Sequence, residues 1–284
     1  MFVENIEDSV KIIKKLGEGT FAVTYLVQNA QGELLAMKAI DIEKSAEKEL
    51  DINSIMKEIN ILSTLSSIPN CYKYIVCYHN YTRGYLYGRD IIALFSDYIE
   101  GPTLGQYISE YIDKNEPLKY YTLLNYMDYL LHALARVHQA GYAHRDIKPE
   151  NIIYDTKKEW LVLIDFGLAC TGTCSGISGT LRWIPPESFN DNPPQSLASA
   201  QAHDIWSLGL IFFLLANLQL PYYTGSIETE ADIERLIKGY FIPSHYLSDS
   251  GFDYKINLMI DQMLNKVWQN RPTASALLNY MNTW

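Results

Sequence analysis

The chain has 284 residues, 48% of them apolar, 20% charged and 13% aromatic. That balance excludes global disorder and supplies ample material for a core, and at roughly 150 residues per domain the length allows two lobes or one large domain. The net charge of −10, from 33 acidic and 23 basic side chains, argues against broad attraction to nucleic acid or to an anionic membrane, so an anionic ligand needs a local positive site.

The first part reads as strand. Val10 to Leu16 and Phe21 to Val27 flank a glycine-bearing turn, and Gly32 separates the second segment from Leu34 to Ile40, which together predict an antiparallel meander. Ser45 to Leu65 has a helical period, with Ile52, Ile55, Met56, Ile59, Leu62 and Leu65 on one stripe and Pro69 ending it. Tyr74 to Tyr81 and Tyr87 to Tyr98 read as two further strands. Beyond Gly101-Pro102 the pattern turns helical: Leu123 to Val137 forms an apolar face ended by Gly141, and Ile152 to Tyr154 with Leu161 to Ile164 predicts a small hairpin. From Asp204 onward come an apolar helix, an amphipathic helix around Ile233 to Ile237, and two last helices near Ile256 to Leu264 and Thr273 to Met281.

The most apolar run, Ile205 to Ala216, is shorter than the ~20 residues that span a bilayer and reads as a buried helix. Met1-Phe2-Val3-Glu4-Asn5 lacks the basic start and apolar run of a signal peptide and the glycine of a myristoylation site. Cys71, Cys77, Cys170 and Cys174 are expected as free thiols in a reducing compartment, with zinc at Cys170 and Cys174 as the alternative. These features predict a soluble intracellular, cytoplasmic chain. Tyrosine is over-used, at 22 against 9 Phe and 5 Trp, and the excess is expected as half-buried rings with wet hydroxyls, many between Tyr72 and Tyr129, or as a partner surface.

Leu16-Gly17-Glu18-Gly19-Thr20-Phe21-Ala22 is a glycine-rich turn of a kind that lets backbone amides approach phosphate oxygens, although alone it is also an ordinary hairpin turn. Lys38 follows on an apolar strand, where a buried cation needs an anion, and Glu58 on the polar edge of the next helix is the candidate. The decisive stretch is His144-Arg145-Asp146-Ile147-Lys148-Pro149-Glu150-Asn151, with Asp165-Phe166-Gly167 beginning 14 residues after Asn151. A carboxylate to orient a hydroxyl, a cation for developing charge and oxygen ligands for Mg²⁺ are what phosphoryl transfer from a metal nucleotide requires.

In these motifs, together with Ala36-Met37-Lys38, Pro185-Pro186-Glu187, Asp204 to Gly209 and Arg271-Pro272, the chain resembles the eukaryotic-type protein kinase family along nearly its whole length. The resemblance implies an α+β, bilobal fold, with a nucleotide-binding lobe over residues 1–100 and a catalytic and substrate-binding lobe over 101–284. It implies ATP and Mg²⁺ as cofactors. Leu16, Gly17, Glu18 and Gly19 would line the phosphate loop, Lys38 would hold the α- and β-phosphates while paired with Glu58, and Asn151 and Asp165 would hold Mg²⁺. Asp146 would orient the substrate hydroxyl and Lys148 would neutralise the transferring phosphoryl. Adenine would meet Thr24, Ala36 and Ile153, with Ser96 behind it and Asp97, Tyr98 and Ile99 as the hinge. Glu187 would pair with Arg271, Asp204 would brace the catalytic loop, and His144 would pack with Phe166, Leu62 and Tyr78.

Lys148 and Thr180 match the serine/threonine branch, so the implied partners are ATP and a protein with a Ser or Thr hydroxyl, without nucleic acid or membrane insertion; a regulatory protein is left open. The sequence departs from the family pattern at Ala22, Thr24, Leu181, Trp183 and Pro185, and Leu214 stands where arginine-directed kinases often carry a carboxylate, which weakens the inference of basic-peptide preference from Glu150. The alternative function is a catalytically weak scaffold that binds nucleotide or partners. Arg145 before Asp146 suggests that a phosphate on Ser175 or Ser178 orders the activation loop, against a loop that needs no modification. Motifs running from end to end imply a bare catalytic domain, with regulation on the loop or a partner.

Overall fold

A computed structural model describes residues 4–20, 22–47, 52–116, 118–176, 178–222, 229–239 and 251–284. Phe21 of the glycine-rich turn and the middle of the helix expected from Ser45 lie outside the described residues. The chain divides into two compact units, Met1–Glu100 and Gly101–Trp284. The first is built on an antiparallel sheet and the second is mainly helical, the two-lobed α+β class expected from the motifs.

In the first unit the strands are β1 (Glu4–Asn5), β2 (Lys11–Glu18), β3 (Ala22–Gln28), β4 (Leu34–Asp41), β5 (Tyr78–Leu86) and β6 (Arg89–Asp97), and the helices are α1 (Ile6–Ser9), α2 (Ile42–Glu47) and α3 (Ile52–Ser66). The sheet order is β1-β5-β6-β4-β3-β2, antiparallel except where β1 lies parallel to β5 with Glu4 opposite Gly84. Two boundaries differ from expectation. Strand β5 runs on to Leu86, and Tyr87, predicted to open the next strand, is instead a turn residue at φ 50°, followed by Gly88 at φ 77°. Two successive positive φ angles are the geometry of a tight hairpin turn, and Leu86 duly pairs with Arg89 across it. One face of the sheet buries Val27, Met37, Ala39, Leu86, Ile91, Ala93 and Phe95 around Ile6 of α1. The stripe of α3 is buried at Ile55, Ile59, Leu62 and Leu65, but Ile52 is exposed.

The second unit contains α4 (Leu104–Lys114), α5 (Tyr120–Gln139), the hairpin β7 (Ile152–Asp155) and β8 (Trp160–Leu163), α6 (Leu197–Asn217), α7 (Glu230–Gly239), α8 (Gly251–Met263) and α9 (Ala274–Met281). Helix α4 starts on a reciprocal cap: the Gln106 N–H donates to the Thr103 hydroxyl and the Thr103 N–H donates to the Gln106 side chain. Helix α6 is apolar on all sides, and Trp206, Leu210, Ile211 and Phe212 are buried. Among the described residues it is the one helix long and apolar enough to cross a membrane, yet 83% of its most apolar window is buried inside the protein, as in a core helix. A Cβ at Gly209 would lie 2.9 Å from Met263 Cβ, so the glycine permits the close approach of α6 and α8.

Two sets of tyrosines stand out among the described residues. Tyr72, Tyr81, Tyr85, Tyr87, Tyr121 and Tyr254 are exposed. Tyr107, Tyr111, Tyr126 and Tyr154 instead form a cluster within the second unit, with Tyr107 and Tyr154 ring centroids 4.4 Å apart. The Tyr126 hydroxyl donates to Tyr107 at 3.0 Å, and Tyr107 and Tyr111 hydroxyls also stand 3.0 Å apart. In this cluster, therefore, hydroxyls expected to be wet find one another, and burial pushes the Tyr107 phenol up to about 12 and Tyr126 further still.

Two buried charges near α6 set stability tests. Arg271 has a fully buried side chain; its Nη1 and Nη2 donate to the two Glu187 oxygens at 2.6 and 2.7 Å, and further bonds run to the carbonyls of Ala202 and Asn265. Arg271→Ala leaves the Glu187 carboxylate buried without its partner and is expected to cost about 3–5 kcal/mol in urea denaturation. The double variant Glu187→Leu/Arg271→Met removes both charges and should cost less than that single substitution; a larger loss would contradict the account.

His203 is buried on α6, and burial pushes its imidazole down to about 4 from 6.5, with Arg145 and Arg271 lowering it further and Asp204 and Asp146 opposing. Between those two values the unfolded chain binds a proton that the folded chain refuses, so stability is full above the higher value and falls as pH drops through the window. The expected loss is roughly 3 kcal/mol. Denaturation midpoints of wild type and His203→Gln across about pH 7 to pH 4 should show a shallower pH slope for the variant.

Candidate active site

In the first unit, β2 and β3 form the glycine-rich turn, with Gly17 opposite Thr24 and Glu18 opposite Val23, and with a register shift between Lys15 and Gly17. The Gly19 N–H donates to Ala22 O at 2.8 Å, which closes the turn. Leu16 is exposed beside it. Strand β4 carries Ala36 opposite Ser96 and Lys38 opposite Leu94 of β6. Lys38 Nζ lies 2.7 Å from Glu58 Oε1, its candidate partner, and side-chain exposures of 27% and 8% place the glutamate inside the unit. At the end of β6 the Asp97 N–H donates to Cys77 O at 2.9 Å, while its carboxylate meets His79 Nε2 at 2.6 Å; Ile99 follows in the chain.

The remaining candidates lie in the second unit, where Asp204 of α6 is completely buried and accepts the N–H groups of His144 at 2.7 Å and Arg145 at 2.6 Å, with His138 Nε2 at 2.9 Å. Burial alone would raise this carboxyl, but the His138 hydrogen bond and the surrounding imidazole charge hold it below the usual carboxylate range. Beside the clamp, Arg145 sits at φ 66°, left-handed backbone that side-chain-bearing residues rarely adopt, and Asp165 has the same conformation at φ 60°.

Asp146 is held from several directions. Its Oδ2 accepts from Asn151 Nδ2 at 2.8 Å and lies 2.7 Å from Lys148 Nζ, and its Oδ1 accepts from the Thr180 N–H at 3.1 Å and the Thr180 hydroxyl at 3.0 Å. Lys148 Nζ also donates to the Thr180 hydroxyl at 2.8 Å. With its nitrogen given to Asp146, the Asn151 amide has its oxygen to offer a cation, and the Ile164 N–H donates to Asn151 O at 2.9 Å, so Asp165 follows directly from a residue tied to Asn151. An amide oxygen and a carboxylate suit a hard ion such as Mg²⁺, which takes its other ligands from water and phosphate. No cluster of three or more His, Cys, Asp or Glu able to hold a metal occurs among the described residues. His144 serves packing, with its ring 4.8 Å from that of Phe166, and Ile153 stands half-buried on β7.

The cysteine expectation is overturned. Cys71 pairs with Cys77 and Cys170 with Cys174, so no free thiol remains and the zinc alternative falls with it. The 3-10 turn after α3 returns the chain to β5 and brings Cys71 and Cys77 to a Cα separation of 5.9 Å. At Cys170 the backbone exchanges two hydrogen bonds with Ala143, the Cys174 N–H donates to Gln195 O, and Gly172 at φ 66° turns the chain between them, giving 5.6 Å. Both sulfur residues of that second pair are buried. The free-thiol argument for a reducing compartment is thereby removed. Sequence reasoning also missed where the Arg145 guanidinium goes: Nη2 donates to the carbonyls of Ser175 at 3.1 Å and Gly176 at 2.6 Å.

Comparison with known proteins agrees with this geometry. The description of the protein kinase domain matches residues 10–281. The chain is 26% identical to the serine/threonine-protein kinase nekl-2 of Caenorhabditis elegans, over 96% of this chain and 73% of that protein. It is 31% identical to CBL-interacting serine/threonine-protein kinase 18 of Arabidopsis thaliana over 83% of this chain, and 28% identical to mitogen-activated protein kinase kinase kinase 3 of the same plant over 94%. The chain spans 43% and 41% of the lengths of those two relatives. It belongs to the eukaryotic-type protein kinase family, on the serine/threonine side.

Proposed function

We propose that the protein is a serine/threonine kinase that transfers the γ-phosphoryl group of Mg-ATP to a hydroxyl of a protein substrate. The observation that carries this reading is the connected network of Asp146, Lys148, Asn151 and Thr180, in which Asp146 is held through both carboxylate oxygens. Asp146 orients the incoming hydroxyl and takes up its proton as the new oxygen–phosphorus bond forms and the bond to the ADP oxygen breaks. Lys148, steered by Thr180, offsets the charge of the transferring group.

Lys38 binds the α- and β-phosphates. Its ammonium is a compact point charge anchored by Glu58 at 2.7 Å. The turn from Leu16 to Gly19 covers the phosphates, Thr24, Ala36 and Ile153 contact adenine, and the main chain at Asp97 and Ile99 bonds its edge. Asn151 and Asp165 hold the magnesium, which when bound supplies charge neutralisation of the phosphate oxygens. Ala22 and Thr24, where the family usually has glycine and valine, narrow the turn and make the adenine roof more polar, so a weaker nucleotide affinity is expected without loss of a catalytic group.

Phosphate incorporation into Ser, Thr and Tyr peptide pools by wild type, Asp146→Asn and Lys38→Met tests the reading. Ser and Thr pools should be labelled, and the two variants should lose about 10²–10⁴-fold. Equal incorporation by all three proteins would sink it, and a thermal shift with ATP and Mg²⁺ without any turnover would establish the scaffold reading instead.

A further inference from the structure

The Cys170–Cys174 disulfide occupies a particular place in the segment that begins at Asp165. Backbone pairing surrounds it on two sides. Ala143 and Cys170 exchange two backbone bonds, the Cys174 N–H donates to Gln195 O, and Thr173 bridges Ser196. The sulfur-bearing residues are packed with Ala143, Ala200 and Leu197. The two residues that follow Cys174 are Ser175 and Gly176, whose carbonyls receive the Arg145 guanidinium. Thr180, four residues beyond Gly176, bonds both Asp146 and Lys148. Between them, Gly179 adopts φ 103°, and a Cβ there would come within 2.7 Å of Arg145 O. One short stretch of chain thus links a covalent closure, a half-buried arginine and the carboxylate of the proposed transfer reaction.

A half-buried guanidinium still needs acceptors, and main-chain carbonyls hold it only if the chain that carries them is fixed. Closing the five residues from Cys170 to Cys174 limits the alternative conformations of the backbone just ahead of those carbonyls. We propose that Cys170–Cys174 is a thiol-exchange site through which a dithiol reductant loosens the segment: the disulfide holds the Ser175 and Gly176 carbonyls on Arg145, and reduction releases them. In the exchange a thiolate of the dithiol attacks one cysteine sulfur, the sulfur–sulfur bond breaks and a mixed disulfide forms. The second thiol of the reductant then displaces the protein sulfur, leaving two cysteine thiols and an oxidised dithiol, a transfer of two electrons. Because both residues are buried, exchange follows opening of the segment and reports on it. The effect on phosphoryl transfer rests on the proposed kinase activity; the effect on the segment does not.

The test uses the full chain in a Cys71→Ser/Cys77→Ser background, so that one disulfide remains, with dithiothreitol as the reductant. Alkylation before and after reduction, followed by peptide mass mapping, reads the state of Cys170 and Cys174. Amide hydrogen exchange of residues 174–176 and 178–180 reads the segment, and phosphate incorporation reads activity. The oxidised protein should resist alkylation. Reduction should accelerate exchange about tenfold or more and lower incorporation in step, and Cys170→Ser/Cys174→Ser should show the fast exchange whether or not dithiol is present. Alkylation of both cysteines without reductant, or exchange unchanged by reduction, would overturn the proposal. Faster exchange with undiminished incorporation would also overturn it. An oxidised protein that incorporates no phosphate counts against the kinase reading alone, and the exchange data then decide the thiol site.

Discussion

The second unit is organised around a carboxylate that has no access to water. Asp204 stands on the apolar helix α6 at 0% exposure, and an ionised group there persists only if its oxygens are fully bonded. Its partners are the backbone N–H groups of His144 and Arg145 and the ring of His138. The aspartate therefore does more than satisfy itself. It fixes the main chain at Arg145 in the left-handed region, a conformation costing about 1–3 kcal/mol, and so determines where Asp146, the next residue, directs its side chain. A core-forming helix and the loop that carries Asp146 are joined through one desolvated charge.

The same loop explains the choice of partners around Arg145. Burial lowers its pKa, with Asp204 opposing, and its donors end on two neutral carbonyls, not on a carboxylate. A phosphate on Ser175 or Ser178 would offer a stronger, charged acceptor at that position. It would have to compete with bonds already made by the segment. The arrangement therefore suits a segment whose order comes from its own connectivity, with Cys170 and Cys174 supplying the covalent part.

How much was legible in the sequence follows from the range of each interaction. Strands β2 to β4 and helices α5 and α6 carry their period within a single segment, and the motif residues Lys38, Asp146, Asn151 and Asp165 identify themselves by order and spacing. The Glu187–Arg271 pair was legible only through the family resemblance, since 84 residues separate the partners. Strand β1 escaped because it is two residues long and pairs in parallel with β5. The Tyr87-Gly88 turn escaped because tyrosine has strand propensity and its positive φ is not written in its side chain. Helix α4 was detectable, since Thr103-x-x-Gln106 is a capping signature. The disulfides were not, because spacings of 6 and 4 residues say nothing about whether the backbone folds back. In the Tyr107 cluster, composition showed the hydroxyls and only the structure showed that they meet.

Arg271 with Glu187 and Lys38 with Glu58 are ion pairs in separate units, and the chemistry of the cation distinguishes them. Arg271 spends its fork on both Glu187 oxygens and its remaining bonds on carbonyls, at no side-chain exposure, so the pair has nothing left for a ligand and serves cohesion. Lys38 is a compact charge with rotatable donors, part of it reaches solvent, and Glu58 meets it at 2.7 Å. Exchanging the residue types would destroy both functions: a lysine at 271 could not grip two oxygens in plane, and an arginine at 38 would be committed to the glutamate in the geometry that a phosphate needs. The contrast supports assigning anion binding to Lys38 and architecture to Arg271, on donor geometry as well as on position in the chain.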